Sequence, residues 1–108
     1  ERGMQFGNVL ITDDIAEAVH GADVVYTDVF ISMSDEDDEK KKQTLARYRV
    51  TPEVMALAAP DAVFMHCMPV HRGEEVSAEV VDGPQSIVYE QAENRLHINK
   101  AALALLIK

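Results

Sequence analysis

A single cysteine, Cys67, rules out an internal disulfide framework and fits a reducing compartment. Basic residues are few. Ten Lys and Arg stand against nineteen Asp and Glu, and a formal charge of -9 repels a phosphate backbone, so nucleic acid is excluded as a partner. No apolar run approaches the ~20 residues that cross a bilayer, and the N-terminus lacks the apolar core of a secretory signal. No membrane partner is expected, and the cytoplasm is the default location. Internal repeats, low-complexity linkers and Ser/Gly-rich hinges are also missing, so no domain boundary is visible. A chain of 108 residues with 47% hydrophobic content supplies one compact core and little more. It opens on Glu1-Arg2-Gly3 and closes on Lys108 directly after an apolar run, which reads as a segment of a longer protein.

What is present is an alternation of short β-branched runs with helical patterns. Val9-Leu10-Ile11 predicts a first strand, and Thr12 or Asp13 an N-cap for a helix to about His20, stopped by Gly21. Residues 22–27 predict a second strand. Its Val24-Val25-Tyr26 core is apolar at consecutive positions, as a sheet covered on both faces requires. A loop over 28–34 leads into the charge run 35–42, acids before bases, which reads as a solvated helix to about Tyr48 with a charge order suited to the helix dipole. Thr51 and Pro52 open a helix that Pro60 stops, and residues 62–66 predict a third strand. Beyond an irregular segment to Val76 come a short helix over 77–81, a turn at Asp82-Gly83-Pro84 and a fourth strand over 86–89. Residues 91–107 predict a long helix. Its last turns, with Leu103, Leu105, Leu106 and Ile107, are apolar nearly all round and need a partner surface. The order implies an α/β domain with a mainly parallel sheet of about four strands flanked by helices.

Ligands of such sheets bind outside the carboxyl ends of the strands, and three unusual clusters each follow a predicted strand. The densest runs from His66 to Glu75 and holds a thiol, two imidazoles, a guanidinium and two carboxylates. Cys67 there reads equally as a small buried hydrophobe or as a nucleophile favoured by Arg72 or a histidine. His66 reads as a strand residue satisfied by a backbone carbonyl. A zinc site from His66, Cys67 and His71 lacks a fourth ligand at suitable spacing, so no metal is expected. In the second cluster Asp28 can bind an ammonium group and Ser32 a polar substrate end, although loop capping is the commoner role of both. In the third, Arg95 can meet an anion near the start of the last helix, or form an ordinary exposed salt bridge.

Taken in order, Tyr26-Thr27-Asp28-Val29-Phe30-Ile31-Ser32-Met33, His66-Cys67-Met68-Pro69 and Glu93-Asn94-Arg95-Leu96-His97 resemble the signature of the ornithine carbamoyltransferases. Gly73-Glu74-Glu75-Val76 and the stretch from Asp82 to Val88 are similar to that family as well. The resemblance implies a three-layer Rossmann-like fold and transfer of the carbamoyl group of carbamoyl phosphate to the side-chain amine of L-ornithine, with no cofactor. It also implies roles. Asp28, Ser32 and Met33 would hold the amino-acid end of ornithine, Met33 largely through its backbone. Cys67 would be the proton acceptor, the backbone of Cys67 and Met68 would contact the carbamoyl group, and Arg95 would bind carbamoyl phosphate. The chain departs from the pattern at Ser34, where the family usually has glycine, and at Met68, where it has leucine. Residues 1–108 would then be a partial ornithine-binding domain lacking the carbamoyl-phosphate domain, inactive alone, from a protein that is a homotrimer at full length. Two other functions are weighed: a carbamoyltransferase for putrescine or a modified ornithine, and a non-catalytic assembly module.

Overall fold

The computed structural model describes residues 7–31 and 39–107. The first helix, α1 (Ile15–Val19), is capped by Asp14, whose side chain accepts the N–H groups of Ala16 and Glu17. The sequence places this cap one or two residues earlier. Thr12 is used differently: its hydroxyl accepts from the Asp14 N–H at 3.1 Å and donates to Glu17 at 2.6 Å, bracing the first turn from outside. Gly21 follows the helix at φ 66, a left-handed conformation open to glycine at little cost, and donates its N–H to the Leu57 carbonyl.

Strand β1 (Val24–Thr27) then pairs in parallel with β2 (Val63–His66), in the register Val24↔Val63 to Thr27↔His66. The crossover between them carries α2 (Glu39–Leu45), a tight 3-10 turn at Ala46–Tyr48 and α3 (Pro52–Met55). Pro52 occupies the first turn of α3, and Thr51 accepts the Val54 N–H, as the Thr-Pro pair predicts. The helix ends at Ala56, short of Pro60. After β2 come α4 (Ala78–Val81) and the 19-residue α5 (Val88–Leu106).

The core gathers one or two residues from nearly every element: Val19, Val25, Met55, Phe64, Val80, Val81 and Val88, with Val50 and Val76 from connecting segments. Phe64 is fully buried and is the largest apolar side chain in it. Because β1 and β2 alternate, this core covers one face of the sheet; Val24 and Tyr26 on the other face are 47% and 52% exposed. The expectation of a sheet covered on both faces is therefore not met within the described residues.

Nor are four strands found. The described residues hold a two-stranded parallel sheet. Val9, Leu10 and Ile11 are exposed and take no ladder, since no neighbouring strand among the described residues offers them hydrogen bonds. The expected strand over 86–89 shrinks to one parallel bridge between Phe64 and Ser86, held by Phe64 N–H to Gln85 O and Ile87 N–H to Phe64 O. Val88 and Tyr89 have already entered α5, three residues earlier than expected, so β-branched composition there reflects burial of Val88 and not a ladder. The exposed end of α5, with Leu103, Leu105, Leu106 and Ile107, agrees with the expectation of an unpartnered apolar helix.

Gly83, in the turn leaving α4, is a position where substitution is costly. A Cβ built there would lie 2.3 Å from the Glu79 carbonyl oxygen, a backbone atom that cannot move aside alone. Gly83→Ala is expected to lower stability by about 1–3 kcal/mol through overpacking, read as a drop in the denaturant midpoint. An unchanged midpoint would mean that the turn relaxes freely.

Candidate active site

The register of the two strands decides what meets at their carboxyl ends. Thr27 and His66 are partners, so the next residues, Asp28 and Cys67, emerge side by side. The Cys67 thiol donates to Asp28 Oδ1 at 2.9 Å, and the same oxygen accepts the Val29 N–H at 2.7 Å. These hydrogen bonds, that of Cys67 first, hold the Asp28 carboxyl below the usual carboxylate range. In return, the bond to Asp28 pushes the Cys67 thiol up, with burial and the carboxylate charge adding to it. The resting pair is a thiol on a carboxylate.

Arg95 reaches the same place from α5. Its Nη1 lies 3.4 Å from the Cys67 carbonyl oxygen, a long hydrogen bond to backbone where an exposed ion pair with a neighbouring acid was the alternative. One turn earlier Gln91 accepts the His66 N–H at 3.0 Å, so two α5 residues on one helical face grip the end of β2. Asp28 and Arg95 are exposed and Cys67 is half-buried. The rim is open and basic on one side, acidic on the other.

The loop after β2 is shaped by two buried residues. His66 Nδ1 accepts the Met68 N–H at 2.9 Å, which pins Met68 at φ 62 just before the cis Met68-Pro69 bond. A left-handed conformation costs a residue with a Cβ about 1–2 kcal/mol, so this turn is held by its surroundings. With Nδ1 an acceptor, the ring proton sits on Nε2, which faces Glu75 Oε1 at 3.3 Å. Both side chains are almost fully buried, at 1% and 0% exposure. Glu75 also accepts the His71 N–H at 2.6 Å, closing the loop on itself. His66 thus finds a backbone N–H and a carboxylate where a carbonyl was expected. Glu75 was missed as a site-shaping residue; its only signal was an acid inside an otherwise polar loop, indistinguishable from half-buried Glu74.

Neither cation offered as a thiolate partner bonds the Cys67 side chain. Arg72 forms a two-pronged pair with Asp82 at 2.8 and 2.7 Å, and His71 faces Glu75 Oε2 at 3.9 Å. The residues weighed for zinc are likewise divided: His66 and Cys67 turn to Glu75 and Asp28. Among the described residues the potential ligand group is His71, Glu74 and Glu75, within 4.8 Å of one another, and there the Lys42 ammonium already lies 2.9 Å from Glu74. Ser32 and Met33, expected to bind the amino-acid end of a substrate, lie outside the described residues, as does Ser34. Asp28, Cys67, Met68 and Arg95 are brought to one rim.

Residues 3–106 match the family model described as aspartate/ornithine carbamoyltransferase, Asp/Orn binding domain. The chain is 56% identical over 98 residues to the ornithine carbamoyltransferase of Hyperthermus butylicus, covering 90% of this chain and 31% of that protein. The solved structure of the ornithine carbamoyltransferase of Pyrococcus furiosus superposes with a TM-score of 0.81 at 48% identity, over 87% of this chain and 30% of that one. An N-acetyl-L-ornithine transcarbamylase superposes with a TM-score of 0.75 at 34% identity, over 89% of this chain and 30% of that one. The chain spans about a third of the length of the curated relatives it matches.

Since the Asp28 hydrogen bond favours the neutral thiol, Asp28→Asn is expected to move the pH midpoint of Cys67 alkylation downward. The rate of iodoacetamide labelling against pH measures it; an upward move would show that the carboxylate does not govern the thiol.

Proposed function

The chain belongs to the aspartate/ornithine carbamoyltransferase family, as its Asp/Orn-binding domain, and from this we propose that the full-length protein transfers the carbamoyl group of carbamoyl phosphate to the side-chain amine of L-ornithine, releasing L-citrulline and phosphate. The observation that carries the reading is the convergence at one sheet rim of the Cys67 thiol on Asp28 at 2.9 Å and Arg95 on the Cys67 carbonyl at 3.4 Å. No cofactor enters it.

In the reaction the amine nitrogen bonds to the carbonyl carbon, the carbonyl oxygen gains negative charge, and the bond from that carbon to the phosphate oxygen breaks. The nitrogen must also lose a proton. At rest Cys67 carries its own, so a proton accepted at Sγ is matched by passage of the S–H proton to Asp28 Oδ1, the bond already formed. Asp28 Oδ2, which takes no hydrogen bond among the described residues, is left for the ammonium of the amino-acid end, with Ser32 and the Met33 backbone completing that grip. Met68 has its N–H committed to His66, so its carbonyl is the group it offers to the carbamoyl NH2. Arg95, swinging from the Cys67 carbonyl, supplies charge to carbamoyl phosphate. A donor aimed at the developing oxyanion is worth about 3 kcal/mol, so Arg95 matters most in the transition state.

Residues 1–108 hold the amine side of the site in this reading and do not turn over alone; the phosphate side comes from the rest of a cytoplasmic homotrimer. The N-acetyl-L-ornithine transcarbamylase likeness keeps a modified ornithine as the second substrate candidate. A bare diamine such as putrescine fits less well, because it has no α-carboxylate for the Ser32 and Met33 loop.

Citrulline formation by the full-length protein is expected to fall about 10²- to 10³-fold in kcat in Arg95→Ala. In Cys67→Ala it is expected to fall about 10²- to 10⁴-fold. An undiminished rate in Arg95→Ala removes its role. Faster turnover of putrescine or N-acetylornithine than of ornithine changes the substrate, and no turnover of any amine leaves an assembly module.

A further inference from the structure

Helix α5 is held to the sheet at one end. Ile87, just before it, donates its N–H to the Phe64 carbonyl at 3.0 Å, and Val88 is 1% exposed. No side chain caps the helix at Ile87. Every residue of α5 beyond Gln91 is exposed, and among the described residues none of them packs into the core. The anchors at Ile87 and Val88 fix where the helix starts, not where it points.

Gln91 supplies a second anchor, about 4.5 Å further along the axis. Its Oε1 accepts the His66 N–H at 3.0 Å at the end of β2, and its Nε2 lies 3.0 Å from the Tyr26 hydroxyl on β1. A backbone N–H can only donate, so the amide oxygen is fixed at His66 and the nitrogen donates to Tyr26 Oη. One side chain thus bridges both strands of the sheet. Its two hydrogen bonds are directional, which the apolar burial of Val88 is not.

We propose that Gln91 is a positioning residue for Arg95, its amide setting the direction of α5 so that the guanidinium one turn on reaches the Cys67 carbonyl. Residues four apart share a helix face, and Arg95 Nη1 lies 3.4 Å from that oxygen, at the long end of a hydrogen bond. Arg95 stands about 10 Å along the axis from Val88, so a tilt of roughly 10° about Val88 carries it by about 2 Å. A contact already that long is broken or badly bent by such a tilt. Gln91 therefore acts on the rim without touching a substrate. What the aimed guanidinium is for rests on the Arg95 role proposed above; the aim itself does not.

Labelling of Cys67 by iodoacetate and by iodoacetamide, read by mass spectrometry of its peptide in the full-length protein at low salt, measures the guanidinium without turnover. Both reagents alkylate the thiolate and only iodoacetate is an anion, so the ratio of the two rates reports positive charge near the sulfur and cancels the reactivity of the thiol itself. Arg95→Ala is expected to lower that ratio about threefold. Gln91→Met keeps side-chain length and helix preference and removes both amide bonds. It should lower the ratio about twofold, and the double variant no further than Arg95→Ala alone, because the amide acts through the guanidinium. An unmoved ratio in Gln91→Met or in Arg95→Ala, or falls that add in the double variant, overturns the positioning. Tyr26→Phe removes one of the two bonds and should give a smaller fall; where Gln91→Met does not fold, an unmoved ratio in Tyr26→Phe overturns the positioning. Steady-state kinetics on the same proteins test the purpose separately. With both readings correct, Gln91→Met raises the KM for carbamoyl phosphate and lowers kcat while the KM for ornithine holds. A lowered ratio with unchanged kinetics supports the positioning and removes Arg95 from carbamoyl phosphate binding instead.

Discussion

The parallel pairing of β1 with β2 is the constraint from which the rim follows. Thr27 and His66 are the last partners of the ladder, so the chain leaves both strands at the same level and Asp28 is set against Cys67. A slip of β2 by one residue past β1 would turn Phe64 out of the core, because side chains alternate across the sheet. Burial of Val25 and Phe64 on one face thus specifies the geometry of polar residues beyond the strand ends. Core packing and site assembly are the same event here.

The loop after β2 shows how a polar pair can do what apolar packing cannot. His66 and Glu75 are withdrawn from water, and each meets partners: the ring takes the Met68 N–H and faces the carboxylate, and the carboxylate takes the His71 N–H. Such a pair contributes little net stability against a well-packed apolar substitute, but removing one member leaves an uncompensated buried group costing about 3–5 kcal/mol. Its gain is direction. It holds Met68 in a left-handed turn that apolar contacts alone would not choose, and this sets where the backbone of Cys67 and Met68 faces.

Several large apolar side chains are left open. Val24 and Tyr26 on one sheet face, Val9 to Ile11 before α1, and Leu103, Leu105, Leu106 and Ile107 at the end of α5 are each exposed. Large exposed apolar groups are the kind of surface that another part of a protein covers. It accords with a chain that spans about a third of the length of its curated relatives. The open rim has the same character: an acid, a thiol and a guanidinium meet there and stay partly exposed.

Local chemistry in the sequence was enough for the punctuation and for pointing to the residues that meet at the rim. Thr51-Pro52 as a helix start, Gly21 as a stop, the strands near 24–27 and 63–66 and the long apolar helix follow from caps, φ preferences and periodicity, which act within a few residues. Asp28, Cys67 and Arg95 stood out because each is reactive chemistry placed just after a buried run. Only the tertiary structure decided how many strands form, because a β-branched run becomes a strand only when a neighbour supplies its ladder. Val9-Leu10-Ile11 finds none, and the run at 86–89 gives way to α5 after a single bridge. It decided also that Asp28 and not Arg72 faces the thiol, that Glu75 is buried while Glu74 is not, and that Gln91 orients Tyr26. Those are choices of partner between residues up to 65 positions apart, made by strand register and helix docking, and no local pattern carries them.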